Sequence, residues 1–302
     1  MSGQRIENIY WTARYIERAL VSLNVCQSYL GYGLEASAEK WSCCWERIKK
    51  GLRIFNRGPI QGELSSTLFF VLFDPDNPLS SLCSLFSARE NAKILRDWLP
   101  LPLWEYLNSA YFLLSSTTAS SCFQLSCYPL IKEVIEKILI MRQLQDYLFE
   151  EEPFLLWLKI GEYIEKVGNY AAFFFAYHPE ENKDDPPYEE WEAFLNSFFI
   201  RDLLKKKIGM NELSYEKTAL YILSSSLYPY SILSLLDKVL HCLGVLSQQW
   251  DIELPQIQTK ELFSKVLEQA KNGITAERSK KIFLDIQIEC NTIHQSLLSS
   301  LG

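Results

Sequence analysis

The sequence predicts an all-α protein, and three observations favour this fold class. Apolar residues recur at helical spacing over long segments, and proline or glycine interrupts these segments at intervals. No Val/Ile/Thr-rich alternation bounded by Asn-Gly or Asp-Gly turns is present. The chain has 302 residues, 48% of them hydrophobic, which is enough to bury a large core without a disulfide or a metal. We expect a helical bundle.

Proline and glycine divide the chain into about twelve predicted helices. The strongest turn is Asp74-Pro75-Asp76-Asn77-Pro78, because Pro78 pushes Asn77 out of the α region and a helix can restart there. The clearest loop is the acidic, proline-containing stretch 180–187. The predicted helices span 4–30, 36–56, 63–73, 79–98, 101–119, 128–149, 153–177, 188–207, 214–225, 229–250, 259–271 and 276–299.

A comparison of the chain with itself predicts an internal duplication. Tyr15-Ile16-Glu17-Arg18 recurs 148 residues later as Tyr163-Ile164-Glu165-Lys166, and Trp41 matches Trp191 at an offset of 150. Six further residues match partners 151 positions later; they are Thr67, Leu72, Pro78, Ser80, Leu82 and Leu85. We therefore predict two six-helix units, at about 1–150 and 151–302, packed into a single domain that spans 1–302.

Charge and hydropathy exclude several classes of protein. The net charge is −7, whereas nucleic-acid binders are usually basic because they neutralise phosphates. The most apolar run, 170–177, is shorter than the roughly 20 residues that a membrane-spanning helix needs, and the first residues lack the pattern of a signal peptide. We expect a cytoplasmic protein without a nucleic-acid or membrane partner, whose eight cysteines are all reduced.

Charged and aromatic residues coincide on the first predicted helix. Trp11, Arg14 and Arg18 share one face, and Tyr10 and Glu17 lie on the adjoining strip. The aromatic residues indicate that this helix is largely buried, and a buried arginine requires a bidentate acceptor.

A second basic face follows the turn at Asn77. Arg89, Lys93 and Arg96 share it, and Glu90 lies beside it. Three interpretations of the two faces stay open, namely a network of ion pairs, an anion-binding pocket for phosphate or carboxylate, and a solvated surface. We expect the two faces to meet in space. The candidate residues, which carry a surplus of three positive charges, are Arg14, Glu17, Arg18, Arg89, Glu90, Lys93 and Arg96.

Motifs of catalysis and metal binding are missing from the sequence. No glycine-rich phosphate loop, GxSxG elbow or HExxH pair occurs, and His178, His241 and His294 are far apart. No histidine or cysteine falls within the charged motifs, so a nucleophile or proton carrier matched to neutral pH is absent from them. We expect no catalysis by the isolated protein, no metal and no cofactor. The alternative is a ligand-processing enzyme that uses the Arg/Glu cluster as its anion site.

These motifs resemble the alpha-E domain family, bacterial all-helical domains named for a Glu-Arg motif. A weaker second segment, Gly161-Glu162-Tyr163-Ile164-Glu165-Lys166, is similar to a later motif of that family, although Val167-Gly168 stands where Ala-Asp is usual. The resemblance covers essentially the whole chain. The matching residues are Asn8, Tyr10, Trp11, Arg14, Tyr15, Glu17, Arg18, Ala19, Asp76, Asn77, Pro78, Ser80, Ala88, Arg89, Glu90, Asn91, Ala92, Arg96, Trp104 and Asn108.

The resemblance also implies a function. Alpha-E domains commonly occur beside, or fused to, circularly permuted ATP-grasp ligases and transglutaminase-like peptidases. We therefore expect a non-catalytic accessory protein whose partner is an ATP-grasp-type ligase or a transglutaminase-like protein. It would support peptide synthesis or modification by docking the enzyme or by holding an anionic group of the peptide.

Overall fold

The computed structural model describes residues 2–54, 58–59, 63–116, 127–148, 152–179, 186–209 and 214–301. Within these ranges the protein consists of thirteen α-helices and has no β-strand, which confirms the predicted fold class. The helices are α1 (Gly3–Glu35), α2 (Ala38–Gly51), α3 (Leu64–Leu72), α4 (Ser81–Ile94), α5 (Leu101–Ser115), α6 (Cys127–Leu148), α7 (Pro153–Ala176), α8 (Tyr188–Ser197), α9 (Arg201–Ile208), α10 (Tyr215–Ser224), α11 (Ile232–Leu246), α12 (Glu253–Lys271) and α13 (Ala276–Ser299).

The thirteenth helix arises because the predicted helix 188–207 is divided into α8 and α9. Phe199 has a φ of +57°, a conformation that interrupts an α-helix. The Arg201 Nε donates to Glu192 Oε1 at 2.8 Å and thereby links the two helices across the break. No glycine or proline marks this position, so the sequence offered no breaker there.

Two predicted helix ends are wrong for identifiable reasons. Helix α1 continues past residue 30 to Glu35, because Gly33 serves close packing and does not terminate the helix. A Cβ at Gly33 would lie 2.6 Å from Leu64 Cδ1 and 2.9 Å from Trp41 Cζ3. Helix α12 begins at Glu253 and not at 259, because Pro255 lies in the first turn, where a missing N–H leaves no hydrogen bond unmade.

The chain divides into two compact units. The C-terminal unit comprises Met1–Tyr10, Glu151–Asp185 and Leu204–Gly302, and the N-terminal unit comprises Trp11–Glu150 and Pro186–Leu203. Each unit combines a long part of one half of the sequence with one short segment from the other half.

The C-terminal unit is organised around α7, which packs against α11 and α13. Aromatic side chains fill this core, with Trp157 set edge-on to Trp250 and Phe174 stacked on Phe283. The hydroxyl of Tyr10 is hydrogen-bonded to His294 Nδ1 at 3.0 Å, and both side chains are buried. Burial of these apolar faces is the main force that holds such helices together.

The N-terminal unit contains the α4–α5 hairpin, and α5 also packs against α6. A bidentate ion pair contributes to this unit: Arg47 donates to the two carboxylate oxygens of Glu190 at 2.7 and 2.6 Å. The Glu190 side chain is fully buried. A buried carboxylate requires such a partner, since it would otherwise lose its hydration without compensation.

Helices α4 and α11 begin and end in the same way, although they belong to different units. Ser80 and Ser231 cap their N-termini with φ and ψ of −61°, 153° and −61°, 152°, and each side chain accepts a backbone N–H three residues later. At their ends, Leu95 and Leu246 each accept hydrogen bonds from the third and fourth following N–H groups. These local matches follow the predicted offset of 151, while the duplication as a whole stays a prediction.

The cysteines differ from expectation at one position. Cys127 is disulfide-bonded, so the prediction that all eight thiols are reduced is wrong. The prediction rested on apolar surroundings, which thiols and disulfides share. Burial raises the pKa of Cys242 to about 11, which keeps that thiol protonated at neutral pH. Cys122 lies outside the described residues, and the free cysteines are Cys26, Cys43, Cys44, Cys83, Cys242 and Cys290.

Among the helices that the structure describes, none has the length and apolar character required to cross a membrane.

Candidate functional site

The first of the two predicted charged faces lies on α1; it is buried at Arg14 and Glu17 and half-buried at Trp11 and Arg18. The guanidinium carbon of Arg14 lies 5.0 Å from the centre of the Trp11 ring, and that of Arg18 lies 5.6 Å from the same ring. Tyr15 stacks on Trp11 and also contacts Arg18. Trp11 therefore has two cationic neighbours on its own helix, an arrangement stabilised by cation–π attraction.

Glu17 forms an ion pair with an arginine of α6. The Nη2 of Arg142 donates to Glu17 Oε2, and the two side chains are 15% and 6% exposed. The sequence reasoning missed Arg142, although its spacing of four and seven residues from the buried Ile138 and Ile135 was a signal that it lies beside the apolar face of α6. We refer to Trp11, Arg14, Tyr15, Glu17, Arg18 and Arg142 as the Trp11 set.

The second predicted face lies on the α4–α5 hairpin and is more open. Arg89 Nε donates to Asn108 Oδ1 at 2.7 Å, and Arg89 Nη1 donates to Glu90 Oε1 at 2.8 Å. The guanidinium carbons of Arg89 and Arg96 lie 5.6 and 5.1 Å from the centre of the Trp104 ring. We refer to Arg89, Glu90, Lys93, Arg96, Trp104 and Asn108 as the Trp104 set.

Two aromatic residues that the sequence reasoning missed complete the environment of Arg89. Its guanidinium carbon lies 5.3 Å from the ring centre of Tyr111 and 5.2 Å from that of Phe112. Both residues follow Asn108 on α5, so their helical spacing was the available signal. Arg89 is therefore fixed by two hydrogen bonds and by ring contacts.

Arg96 differs from the other arginines of the two sets. Its side chain is exposed, and it makes no hydrogen bond or ion pair with the part of the chain that the structure describes. Lys93 pairs with Glu90 at 3.6 Å but is 61% exposed. Arg96 thus presents guanidinium donors to solvent while Trp104, which is buried, holds its position.

The remaining motif residues support the backbone or the packing. Asn77 is buried and fixes the turn before α4, since its Nδ2 donates to Phe70 O at 2.9 Å and its Oδ1 accepts from Leu79 N at 3.1 Å. Asn91 is half-buried on α4. The predicted meeting of Arg14, Glu17 or Arg18 with the α4 residues stays a prediction.

The second, weaker motif lies on α7 in the C-terminal unit. Lys166 pairs with Glu162 at 3.1 Å, and its Nζ lies 4.3 Å from the centre of the Tyr230 ring. Lys238 lies 4.9 Å from the same ring and donates to Pro229 O at 2.6 Å. Glu165, the counterpart of Glu17 in the predicted repeat, is buried.

Comparison with known families identifies the chain. The family described as "Alpha-E: A predicted alpha-helical domain with a conserved ER motif" matches residues 1–300. The chain belongs to the Alpha-E family. No curated protein and no solved structure matches it. The family description agrees with the observed helical fold and with a Glu-Arg pair such as Glu17-Arg18.

In this Alpha-E protein the Trp104 set offers hydrogen-bond donors and a cationic surface. Arginine forms paired, planar hydrogen bonds with carboxylate and phosphate groups. Glu90, the carboxylate of the set, is engaged by Arg89 and Lys93. Within the described residues, no group of three His, Cys, Asp or Glu side chains could hold a metal ion. The arrangement is therefore suited to recognising an anion.

Proposed function

We propose that this Alpha-E protein is a non-catalytic accessory protein that binds an anionic group at the Trp104 set. We further propose that it works with an ATP-grasp-type ligase in peptide synthesis or modification. The observation that carries the proposal is Arg96, which is exposed, lies against Trp104 and has no acceptor among the described residues.

The guanidinium groups of Arg89 and Arg96 are held in place before an anion binds. Arg89 is already oriented by Asn108 and Glu90, and Arg96 by the ring of Trp104. Donors held in place lose less side-chain entropy on binding than free ones, so an anion gains more affinity from them. A charge-assisted hydrogen bond to an arginine contributes about 1.5–3 kcal/mol where it is partly desolvated.

The choice of partner rests on the family. Alpha-E domains commonly occur beside, or fused to, ATP-grasp ligases and transglutaminase-like peptidases, which implies a role in peptide synthesis or modification. Peptides carry carboxylates at side chains and at the C-terminus. The anion that Arg96 can accept therefore fits the chemistry of such a system.

The test measures product formation by the ATP-grasp ligase encoded nearest to this protein, with and without the protein. We expect the ligase to copurify with the wild-type protein and to be accelerated by it. Arg96→Gln should lose the acceleration at an unchanged melting temperature. Arg278→Gln, which removes an exposed arginine charge from the C-terminal unit, should retain it. Absence of any effect on the ligase would overturn the proposal, as would turnover by the isolated protein that Glu90→Gln abolishes; the latter would favour the ligand-processing enzyme.

A further inference from the structure

Large exposed apolar side chains precede and follow Arg96 in the sequence where α4 ends and α5 begins. Ile94 is 65% exposed, Trp98 is 51% exposed and Leu101 is 58% exposed. These three residues and Arg96 lie within eight consecutive positions, 94–101, which we call the α4–α5 corner. Single exposed apolar residues are common on protein surfaces, but a group of them marks an interaction site.

The matching corner between α11 and α12 shows that the turn itself does not require these side chains. Trp98 N and Leu99 N both bond to Leu95 O at 2.9 Å, and Gln249 N and Trp250 N bond to Leu246 O at 2.9 and 3.1 Å. At the positions of the α11–α12 corner that correspond to 94–101, the exposed residues are Ser247, Gln248, Gln249 and Asp251. The same two hydrogen bonds therefore form where Ser247 and Gln249 stand in place of Arg96 and Trp98, so these bonds do not require an arginine and a tryptophan at the two positions.

The apolar surface continues along the hairpin beside Arg89. Phe86 on α4 contacts Tyr111 on α5 with ring centres 6.1 Å apart, and Tyr111 contacts Phe112 at 5.3 Å. Phe86 and Phe112 are about half exposed. Cationic and apolar side chains are therefore interspersed along one hairpin: the ring centre of Phe112 lies 5.2 Å from the guanidinium carbon of Arg89, and Ile94 and Trp98 lie two residues before and after Arg96.

We propose that the α4–α5 corner binds an acidic linear segment of a peptide or partner protein that carries apolar side chains between its carboxylates. Arg96 would accept a carboxylate, and Ile94, Trp98 and Leu101 would contact the intervening apolar side chains. The proposal rests on the proposed function and specifies its ligand. It adds to the proposed anion binding that the anion is a carboxylate of an acidic peptide segment.

The Arg96 guanidinium, which has no acceptor among the described residues, favours an acidic peptide over other occupants, although the exposed neighbour Asp97 reduces the local positive charge. A purely apolar partner would bury the Arg96 guanidinium without an acceptor, which is costly. Inorganic phosphate or a fully polar anion would satisfy Arg96 but would leave the exposed apolar side chains in water. An acidic segment with apolar side chains would supply an acceptor to Arg96 and would also cover the exposed apolar residues of the corner. Trp and Arg are the residue types that most often dominate such contacts.

The test is calorimetric titration of the full chain with three acetylated, amidated pentapeptides. Glu-Leu-Glu-Leu-Glu carries charge and apolar groups, Glu-Ser-Glu-Ser-Glu carries the charge alone, and Gln-Leu-Gln-Leu-Gln carries the apolar groups alone. We expect the first peptide to bind about tenfold more tightly than either control, because only it engages both halves of the surface.

Variants assign the two contributions. Trp98→Gln installs the residue found at the matching corner and should lower the affinity for the Glu-Leu peptide about fivefold or more, with no change for the Glu-Ser peptide. Arg96→Gln should lower both about tenfold, and Arg278→Gln should lower neither. Leu101→Ser provides a second apolar deletion if Trp98→Gln unfolds the protein.

Each alternative outcome has a distinct meaning. Equal affinity for the Glu-Leu and Glu-Ser peptides would overturn the docking proposal while leaving the anion site intact. Equal affinity for the Glu-Leu and Gln-Leu peptides would show an apolar surface to which Arg96 adds nothing, and would also overturn it. Binding to vesicles with anionic headgroups but to none of the peptides would replace the peptide with a membrane surface. Binding of no anion at all would reject the proposed function as well.

Discussion

The Trp11 set and the Trp104 set use the same residue types in opposite ways. In each, two arginines contact one tryptophan and a glutamate accepts an arginine hydrogen bond. Glu17 is 6% exposed, whereas Glu90 is 39% exposed. Arg14 is buried and Arg96 is exposed. Burial, and not residue type, therefore decides whether such a cluster stabilises the fold or faces a ligand.

The largest expected difference between the two sets concerns stability. Glu17→Gln leaves the Arg142 charge buried without its carboxylate, which should lower the free energy of unfolding by about 3–5 kcal/mol. Glu90→Gln removes an exposed pair and should lower it by about 0–1 kcal/mol. Urea denaturation of both variants measures the two values. Equal values would show that the Trp11 set is not a buried network.

A double-mutant cycle on Glu17 and Arg142 tests whether the two residues of the Trp11 set act as a pair. If Glu17 and Arg142 act as a pair, Glu17→Gln and Arg142→Gln together should cost much less than the sum of the single variants. A coupling energy of about 1–3 kcal/mol is expected from the cycle. Strict additivity of the two substitutions would mean that the ion pair contributes nothing of its own.

A second and smaller expected difference is that Arg96 contributes to anion binding whereas Arg14 contributes to stability. Arg96→Gln should leave the free energy of unfolding within about 0.5 kcal/mol of the wild-type value, because an exposed side chain without an ion pair is replaced. The same variant should weaken the binding of inorganic phosphate about tenfold. Arg14→Gln should do the reverse, since Arg14 is buried. Calorimetry measures the phosphate affinity of the two variants, and urea denaturation measures their free energies of unfolding.

A third effect tests whether Arg89 needs its hydrogen bond to Asn108. Asn108→Leu conserves the approximate size of the side chain but removes the acceptor of Arg89 Nε. We expect a loss of about 1 kcal/mol in stability and a few-fold loss in phosphate affinity, because Arg89 would no longer be preoriented. An unchanged phosphate affinity would confine anion binding to Arg96.

The smallest expected effect concerns Asp97, which is exposed beside Arg96 and forms no ion pair with it in the described part of the chain. Removing this negative charge with Asp97→Asn should raise phosphate affinity about twofold at low salt, and the gain should fade as the ionic strength increases. Glu253→Gln, an exposed carboxylate of the C-terminal unit, provides the matched control. A gain that persists at high salt would point to a structural rather than an electrostatic cause.

The fold could be predicted largely from the sequence because local patterns determine it. Helical spacing of apolar residues and the turn at Asn77 placed most helices within a few residues of their observed bounds. The failures had tertiary causes. The break at Phe199 has no local breaker, and the continuation of α1 through Gly33 depends on contacts with Leu64 and Trp41, which are distant in sequence.

The candidate site could be predicted only in part. The shared face of Arg89 and Arg96 followed from helical spacing, and Trp104 and Asn108 came from the family motif. The partner of Glu17 could not be read from α1, because it lies 125 residues away on α6. The contrast between a buried and an exposed cluster also required the structure, since exposure depends on which helices pack against each face.

Thermal melting with and without inorganic phosphate at constant ionic strength separates the roles of the Trp11 set and the Trp104 set in one experiment. A ligand that binds the folded state raises the melting temperature in proportion to its occupancy. We predict that Glu17→Gln melts well below the wild-type protein but gains the same increment from phosphate. Arg96→Gln should melt like the wild-type protein and gain less than Arg278→Gln, which controls for the general effect of phosphate on stability. An Arg96→Gln increment equal to that of Arg278→Gln, or a Glu17→Gln protein as stable as the wild type, would contradict the division of roles between the two sets.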